Sequence, residues 1–251
     1  MESLENLPNN CIRLLHENNL LKPLIRSELI RNILSKINID NEVKEKIIAD
    51  FISGLNIPND GNLDQWLKEN GLDKTKMEEL ALSKIRLKAY CKSNFEHQAE
   101  ARFLERKQAL DIAVYSIIRV QDFFLAREIF FRIQDNEATF GDMAAKHSEG
   151  IENKTRGIIG PSSLDKAHPK ISELVRQSKI GELHSPIQID KFFIVFRLEY
   201  FEAAKLDNFM KEKMSEELLN NWIEKEANTT NQKLIERILS NSNKSNLEKI
   251  Q

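Results

Sequence analysis

Glycine and proline are scarce in this sequence. Only 8 glycines and 6 prolines occur among its 251 residues, and glycine, at about 3% of the chain, lies well below its usual share of about 7%. Since these two residue types interrupt helices most strongly, their scarcity favours long helices over most of the chain. The length is sufficient for one or two domains with a buried core.

An excess of charge of one sign is also missing. The 37 basic and 39 acidic residues are intermixed and give a net charge of -2, so no single-sign field attracts nucleic acid or an anionic membrane. We therefore expect no nucleic-acid partner. The two cysteines, Cys11 and Cys91, have neither CxxC nor metal-ligand spacing, so they imply no disulfide framework.

Long apolar runs are absent as well. No stretch approaches the roughly 20 apolar residues that span a bilayer. The first ten residues, MESLENLPNN, are acidic and lack the basic and apolar regions of a signal peptide. These features predict a cytoplasmic protein without membrane insertion.

Helical periodicity dominates both ends of the chain. Residues 21–37 and 40–55 predict two amphipathic helices, and residues 74–110, which contain no glycine or proline, predict one long helix or two. After Lys205, a further helix carries an apolar face that must be covered. We expect it to pack on the N-terminal helices, so that both ends of the chain form one helical module. That face consists of Leu206, Phe209, Met210, Met214, Leu218, Trp222 and Ile223.

The middle of the chain has a different pattern. The segment LDIAVYSIIRV is dense in β-branched residues and predicts a buried strand, and ELHSPIQI and FFIVFRLEYF predict two more. Three helices and a loop at residues 155–169 lie between the first strand and the other two. This order predicts a small α+β domain attached to the helical module. The predicted boundaries are 1–108 for the N-terminal helical region, 109–203 for the α+β domain and 204–251 for the returning helix.

Residues 110–200 contain the blocks TFGDMAAKHSEG, RGIIGP, IGELHSPI and FFIVFRLEY in that order. In order and spacing they resemble the parvulin-type (PpiC/rotamase) peptidyl-prolyl cis-trans isomerase domain. Residues 15–105 are similar to the helical domain of SurA-type chaperones, most closely in WLKENGLDKTKMEELALSKIRLKAY. The resemblance implies unfolded or extended proline-containing polypeptides as partners, with a peptide export or folding machine as a further candidate. It implies no cofactor.

The polar catalytic residues of that family are substituted in this sequence. The resemblance places the two strand histidines of the family at Ser116 and Ile194, and its catalytic-loop Cys or Asp at Gly150. The remaining histidines have no spacing that suggests a metal site. We therefore expect these three catalytic positions to contribute little polar chemistry.

The resemblance also implies an apolar substrate-binding groove. Bulky Phe192 is expected to fill part of it, and the turn from Gly157 to Gly160 is expected to hold one wall. Alternatively, these two glycines serve only a turn that requires positive φ. The predicted groove residues are Ile159, Ala167, Ile171, Ile189, Phe192 and Phe193.

Two functions remain open at this point. The first is a prolyl isomerase that acts through burial of the proline and exclusion of water. Rotation about an X-Pro amide meets a barrier of about 18–20 kcal/mol and requires no covalent bond to break. The second is a catalytically degenerate chaperone or escort that keeps the isomerase fold as a peptide cradle.

Overall fold

The computed structural model describes residues 4, 6–55, 57 and 62–247, with the backbone alone for 241–247. The chain divides into two units. One comprises Met1–Arg102 together with Asp207–Gln251, and the other comprises Phe103–Leu206. The domain boundaries expected at residues 109 and 203 fall inside the second unit and stay predictions.

Helices make up most of the described chain, as the scarcity of glycine and proline predicts. In chain order the elements are α1 (Asn9–Glu17), α2 (Leu21–Leu34), α3 (Asn41–Gly54), α4 (Leu63–Glu69), α5 (Lys74–Phe95), α6 (Ala99–Leu110), β1 (Ile112–Val120), α7 (Phe123–Gln134), α8 (Phe140–His147), β2 (Ile158–Ser163), α9 (Pro169–Gln177), β3 (Leu183–Ile189), β4 (Phe192–Glu202) and α10 (Asn208–Leu247).

Side-chain caps start several helices of the first unit. Asp40 and Asp73 accept hydrogen bonds from backbone amides in the first turns of α3 and α5, which satisfies donors that a helix start leaves free. A short 3-10 turn, Glu96–Gln98, separates α5 from α6, so residues 74–110 form two helices rather than one. Within the described ranges, no helix combines the length and the apolar character needed to cross a membrane.

Helix α10 packs on the N-terminal helices, as expected from its apolar face. Leu219 and Ile223 of α10 are buried in one core with Ile12 of α1 and Ile25 of α2. Ion pairs flank this core, including Lys22 of α2 with Glu224 of α10. Phe209, which was expected on the buried face, is instead largely exposed. It lies in the first turn of α10.

The second unit is an α+β fold with one four-stranded antiparallel sheet in the order β2-β1-β4-β3. Side chains of a strand alternate between the two faces, so the central strands β1 and β4 contribute to two separate cores. One core, with Ile117 and Phe196, packs against α9, and the other, with Ile118 and Val195, packs against α7 and α8. Burial on both faces explains the dense β-branched composition of β1.

Residues 155–169, expected to be a loop, contain strand β2, which pairs with β1. Gly157 and Gly160 have φ values of +90° and +108°, a region that favours glycine. A Cβ on Gly160 would also lie 2.6 Å from the carbonyl oxygen of Ala113. The two glycines therefore allow the turn and the close approach of β2 to β1.

Candidate functional site

A groove opens between one face of the sheet and helix α9. It has a volume of about 250 Å³. The start of α9, the segment before it and all four strands contribute lining residues, most of which are aliphatic or aromatic. This size fits the side chain of one or two residues better than a larger organic ligand, since ligand pockets usually measure about 300–1,000 Å³.

Six of the residues selected from the sequence come together in this groove. Five of them were expected to bind substrate, and the sixth is Ile194, the residue at one of the substituted catalytic positions. They are Ile159, Ala167, Ile171, Ile189, Phe192 and Ile194. These residues give the groove the apolar character that was expected, and they come from three strands, from α9 and from the segment before α9.

Ser116 lies on the opposite face of the sheet. It is buried, and its hydroxyl donates a hydrogen bond to the carboxylate of Glu199. Tyr115, Ile117 and Arg119 are the residues of β1 that line the groove. Because a shift of one residue along a strand moves the side chain to the other face, the assignment of Ser116 to the groove was one position out of register.

Phe193 and Gly150 also lie outside the set of groove-lining residues. The ring of Phe193 packs 5.1 Å from that of Phe123, on the face covered by α7. Gly150 precedes the short 3-10 helix Ile151–Thr155. A Cβ on Gly150 would lie 2.2 Å from a carboxylate oxygen of Glu152, so the backbone passes directly beside that side chain.

One polar feature of the groove was not expected from the sequence. Arg119 forms two hydrogen bonds to Glu152, from Nε at 3.1 Å and from Nη2 at 2.8 Å. The hydroxyl of Ser148 donates to the same carboxylate at 2.7 Å and accepts from the backbone amide of Arg119 at 3.0 Å. The guanidinium carbon lies 5.7 Å from the centre of the Phe192 ring. An arginine inside the apolar run IAVYSIIRV is the sequence signal that could have revealed it.

Other ionisable groups at the groove belong to its rim. Lys191 places its ammonium group 5.1 Å from the centre of the Phe192 ring, and Lys166 and Asp190 also line the opening. On the floor, burial raises the pKa of Tyr115, and the positive charge of Arg119 opposes that shift in part. The phenol of Tyr115 therefore stays neutral at physiological pH and does not serve as a base.

Two histidines of this unit, His168 and His184, have hydrogen-bond partners. His168 lines the groove and caps α9, with its Nδ1 accepting the backbone amide of Lys170 at 3.2 Å. His184 lies 2.7 Å from the hydroxyl of Ser178 through Nε2. In the part of the chain that the structure describes, no group of three histidine, cysteine or acidic residues could hold a metal ion.

Residues 123–200 match the family model for the rotamase, PPIC-type PPIASE domain. The chain contains a PPIC-type rotamase domain. The match begins at α7 and ends in β4, so it includes the groove residues of β2, α9, β3 and β4, whereas β1 with Arg119 precedes it. We refer to the second unit as the rotamase domain from here on.

Several solved structures are similar to the chain. The PrsA isomerase of Bacillus anthracis is 19% identical, with 88% of this chain and 97% of that chain covered and a TM-score of 0.44. The parvulin domain of PpiD from E. coli is 21% identical, with coverages of 39% and 95% and a TM-score of 0.33. A SurA-like chaperone of Campylobacter jejuni is 16% identical, with coverages of 84% and 92% and a TM-score of 0.38. No curated protein matches the sequence.

Proposed function

We propose that this protein is a folding helper that isomerises X-Pro bonds in client polypeptides. The observation that supports this proposal is the convergence of six apolar residues in one groove of a rotamase domain. The expected clients are unfolded or extended chains, because the groove is open at the surface and has room for a proline and little more.

Isomerisation of an X-Pro bond requires little chemistry from the groove. The amide of an X-Pro bond is planar in both isomers and twisted between them, so catalysis requires a site that tolerates the twisted form and excludes water. Burial of the proline ring against Ile171 and Phe192 stabilises the complex by about 25 cal/mol per Å² of apolar surface. Such a small area supports weak binding, which suits an enzyme that must release each isomer.

Exchange NMR on a short proline peptide tests this proposal directly, since it measures cis-trans interconversion without a coupled protease. The full-length protein at a small fraction of the peptide concentration should accelerate the exchange. The variant Ala167→Phe, which fills the groove, should lose the acceleration. The matched control is Ala138→Phe, at a partly buried site on the opposite face of the sheet. An exchange rate equal to that of the free peptide would refute isomerase activity.

The second candidate is a peptide-binding chaperone or escort without turnover. It is favoured by Gly150 and by Ile194, which offer no polar side chain at the positions where the family carries its catalytic groups. NMR measurements with the same proline peptide separate the two functions. Chemical-shift changes in the groove with an unchanged exchange rate would support the escort, whereas acceleration would support the isomerase.

The identity of the clients and the cellular location are further parts of the proposal. We propose a cytoplasmic protein that hands extended chains to a folding or export machine. Fractionation of the source cells, with the protein detected by antibody, tests the location. Crosslinking at the groove in the same cells would capture client chains, and an absence of proline-containing clients would count against the proposal.

A further inference from the structure

The rotamase domain keeps a strong hydrogen-bond donor in its groove although the family's usual polar positions are substituted. Arg119 stands on β1 directly across from Ile194, its Cα partner on β4. The side chain of Arg119 lines the groove together with Phe192 and Ile194 and is one-third exposed. A guanidinium group presents several N–H donors in one plane and keeps its proton at all relevant pH values.

The position of this donor is fixed by a buried carboxylate. Glu152 is only 2% exposed, and its two oxygens accept the bonds from Nε and Nη2 of Arg119 and from the hydroxyl of Ser148. A buried charge requires such partners, because transfer of an unpaired charge out of water is strongly unfavourable. Two of the nitrogens of Arg119 are therefore occupied. Among the described residues, none accepts a hydrogen bond from the third nitrogen, Nη1.

Gly150 belongs to the same arrangement. A side chain at this position would meet both oxygens of Glu152, at 2.2 and 2.4 Å. The backbone at Gly150 has φ -102° and ψ 176°, an extended conformation open to any residue, so conformational freedom does not explain the glycine. The Glu152 carboxylate occupies the space in which a side chain at position 150 would lie.

We propose that Arg119 is the catalytic hydrogen-bond donor of this groove and that Glu152 and Ser148 are its positioning residues. This inference rests on the proposed isomerase function. When the X-Pro amide twists, the proline nitrogen loses conjugation with the carbonyl group and its lone pair becomes able to accept a hydrogen bond. A donor at Nη1 then stabilises the twisted amide more than either planar isomer, which lowers the barrier. No bond is broken and no proton is transferred.

The test compares turnover with binding in the full-length protein. In the double variant Arg119→Met with Glu152→Gln, both charges are removed together, so no unpaired charge remains buried, and the new amide oxygen still accepts from Ser148. We expect kcat to fall about a hundredfold to a thousandfold, as for loss of a transition-state hydrogen-bond donor. The dissociation constant of the peptide should change less than about twofold, because the apolar groove that binds the proline ring is kept. Glu152→Gln alone keeps the donor but loosens its position, and should give an intermediate kcat.

The matched control lies on the other face of the same sheet. Arg197 of β4 pairs with Glu199 through Nε at 2.9 Å and does not line the groove. The double variant Arg197→Met with Glu199→Gln should keep wild-type kcat. Circular dichroism and thermal melting verify that both double variants are folded.

Each outcome decides the inference. Wild-type turnover in a folded Arg119→Met, Glu152→Gln variant would overturn it and leave the isomerase function intact. Equal losses of binding and turnover would overturn it too, because they would mean that the pair only shapes the groove. An inactive wild-type protein would refute the isomerase function itself and the inference with it.

Discussion

At the scale of single residues, Glu152 is the most constrained side chain near the groove. Its carboxylate is buried, and its charge is balanced by Arg119, with a further hydrogen bond from Ser148. Removal of Arg119 alone leaves the buried Glu152 carboxylate without its partner, which usually costs about 3–5 kcal/mol, whereas removal of both members is often close to neutral. Single and double variants at this site should therefore differ sharply in stability.

Gly150→Ala should disturb the ion pair without touching either of its members. The new methyl group would enter the space of the Glu152 carboxylate, so Glu152 must move and its bonds to Arg119 must weaken. We expect a loss of about 1–3 kcal/mol in unfolding free energy, measured by urea denaturation, with lower isomerase activity. Gly54→Ala is the control, because a Cβ there meets no atom within 4 Å. Equal stabilities of the two variants would contradict the tight packing at Gly150.

Cys91 gives the helical unit a predictable response to alkaline pH. Burial, with a smaller contribution from the charge of Glu216, raises the pKa of the Cys91 thiol to about 11 from an ordinary value of 9.0. The folded state therefore holds this proton after the unfolded state has released it, so the stabilisation is complete below about pH 9 and is lost as the pH rises towards about 11. Urea denaturation at about pH 8 and about pH 10 should show a smaller pH-dependent loss of stability in Cys91→Ala than in the wild type. The same loss in both proteins would contradict the raised pKa.

At the scale of elements, the two faces of β1 should have separate effects on binding. Ile117 faces the groove, and Ser116 faces the other core. Ile117→Ala should weaken the binding of a proline peptide several-fold, because it removes apolar surface from the groove. Ser116→Ala should leave peptide affinity unchanged. Isothermal titration of the full-length variants measures both affinities, and a larger effect at Ser116 would reverse the assignment of the faces.

The sequence was informative about elements and less so about the exact face of a strand. Helical periodicity and scarce glycine predicted the helical unit, including the packing of α10, and the family resemblance predicted five groove residues on β2, α9, β3, β4 and the segment before α9. Ser116 was misplaced because a one-residue error in an alternating strand reverses the side chain. The bonds between Arg119 and Glu152 join residues 33 positions apart, so only the pairing of tertiary elements reveals them.

At the scale of the whole molecule, hydrogen exchange can assign ligand binding to one unit or to both. Since each unit has its own core, a short proline peptide should slow exchange at groove amides of the rotamase domain alone. A long unfolded client should protect amides in the helical unit as well, if that unit holds clients as the chaperone resemblance implies. Protection confined to the rotamase domain with both ligands would show that the helical unit only supports the fold.

The way in which the rotamase domain is joined to the rest of the chain has a consequence for biosynthesis. Its first and last strands pair at Ile112 and Glu202, and the Asp111 carboxylate accepts a hydrogen bond from the Ala204 amide at 2.8 Å, so its two ends lie side by side. The ribosome completes this domain before it makes α10, and domains usually fold as units during synthesis. The N-terminal helices, in contrast, must wait for α10 to cover Ile12 and Ile25. During synthesis, the chain therefore carries a folded rotamase domain while the core of its own helical unit is still uncovered, as in an unfolded client protein.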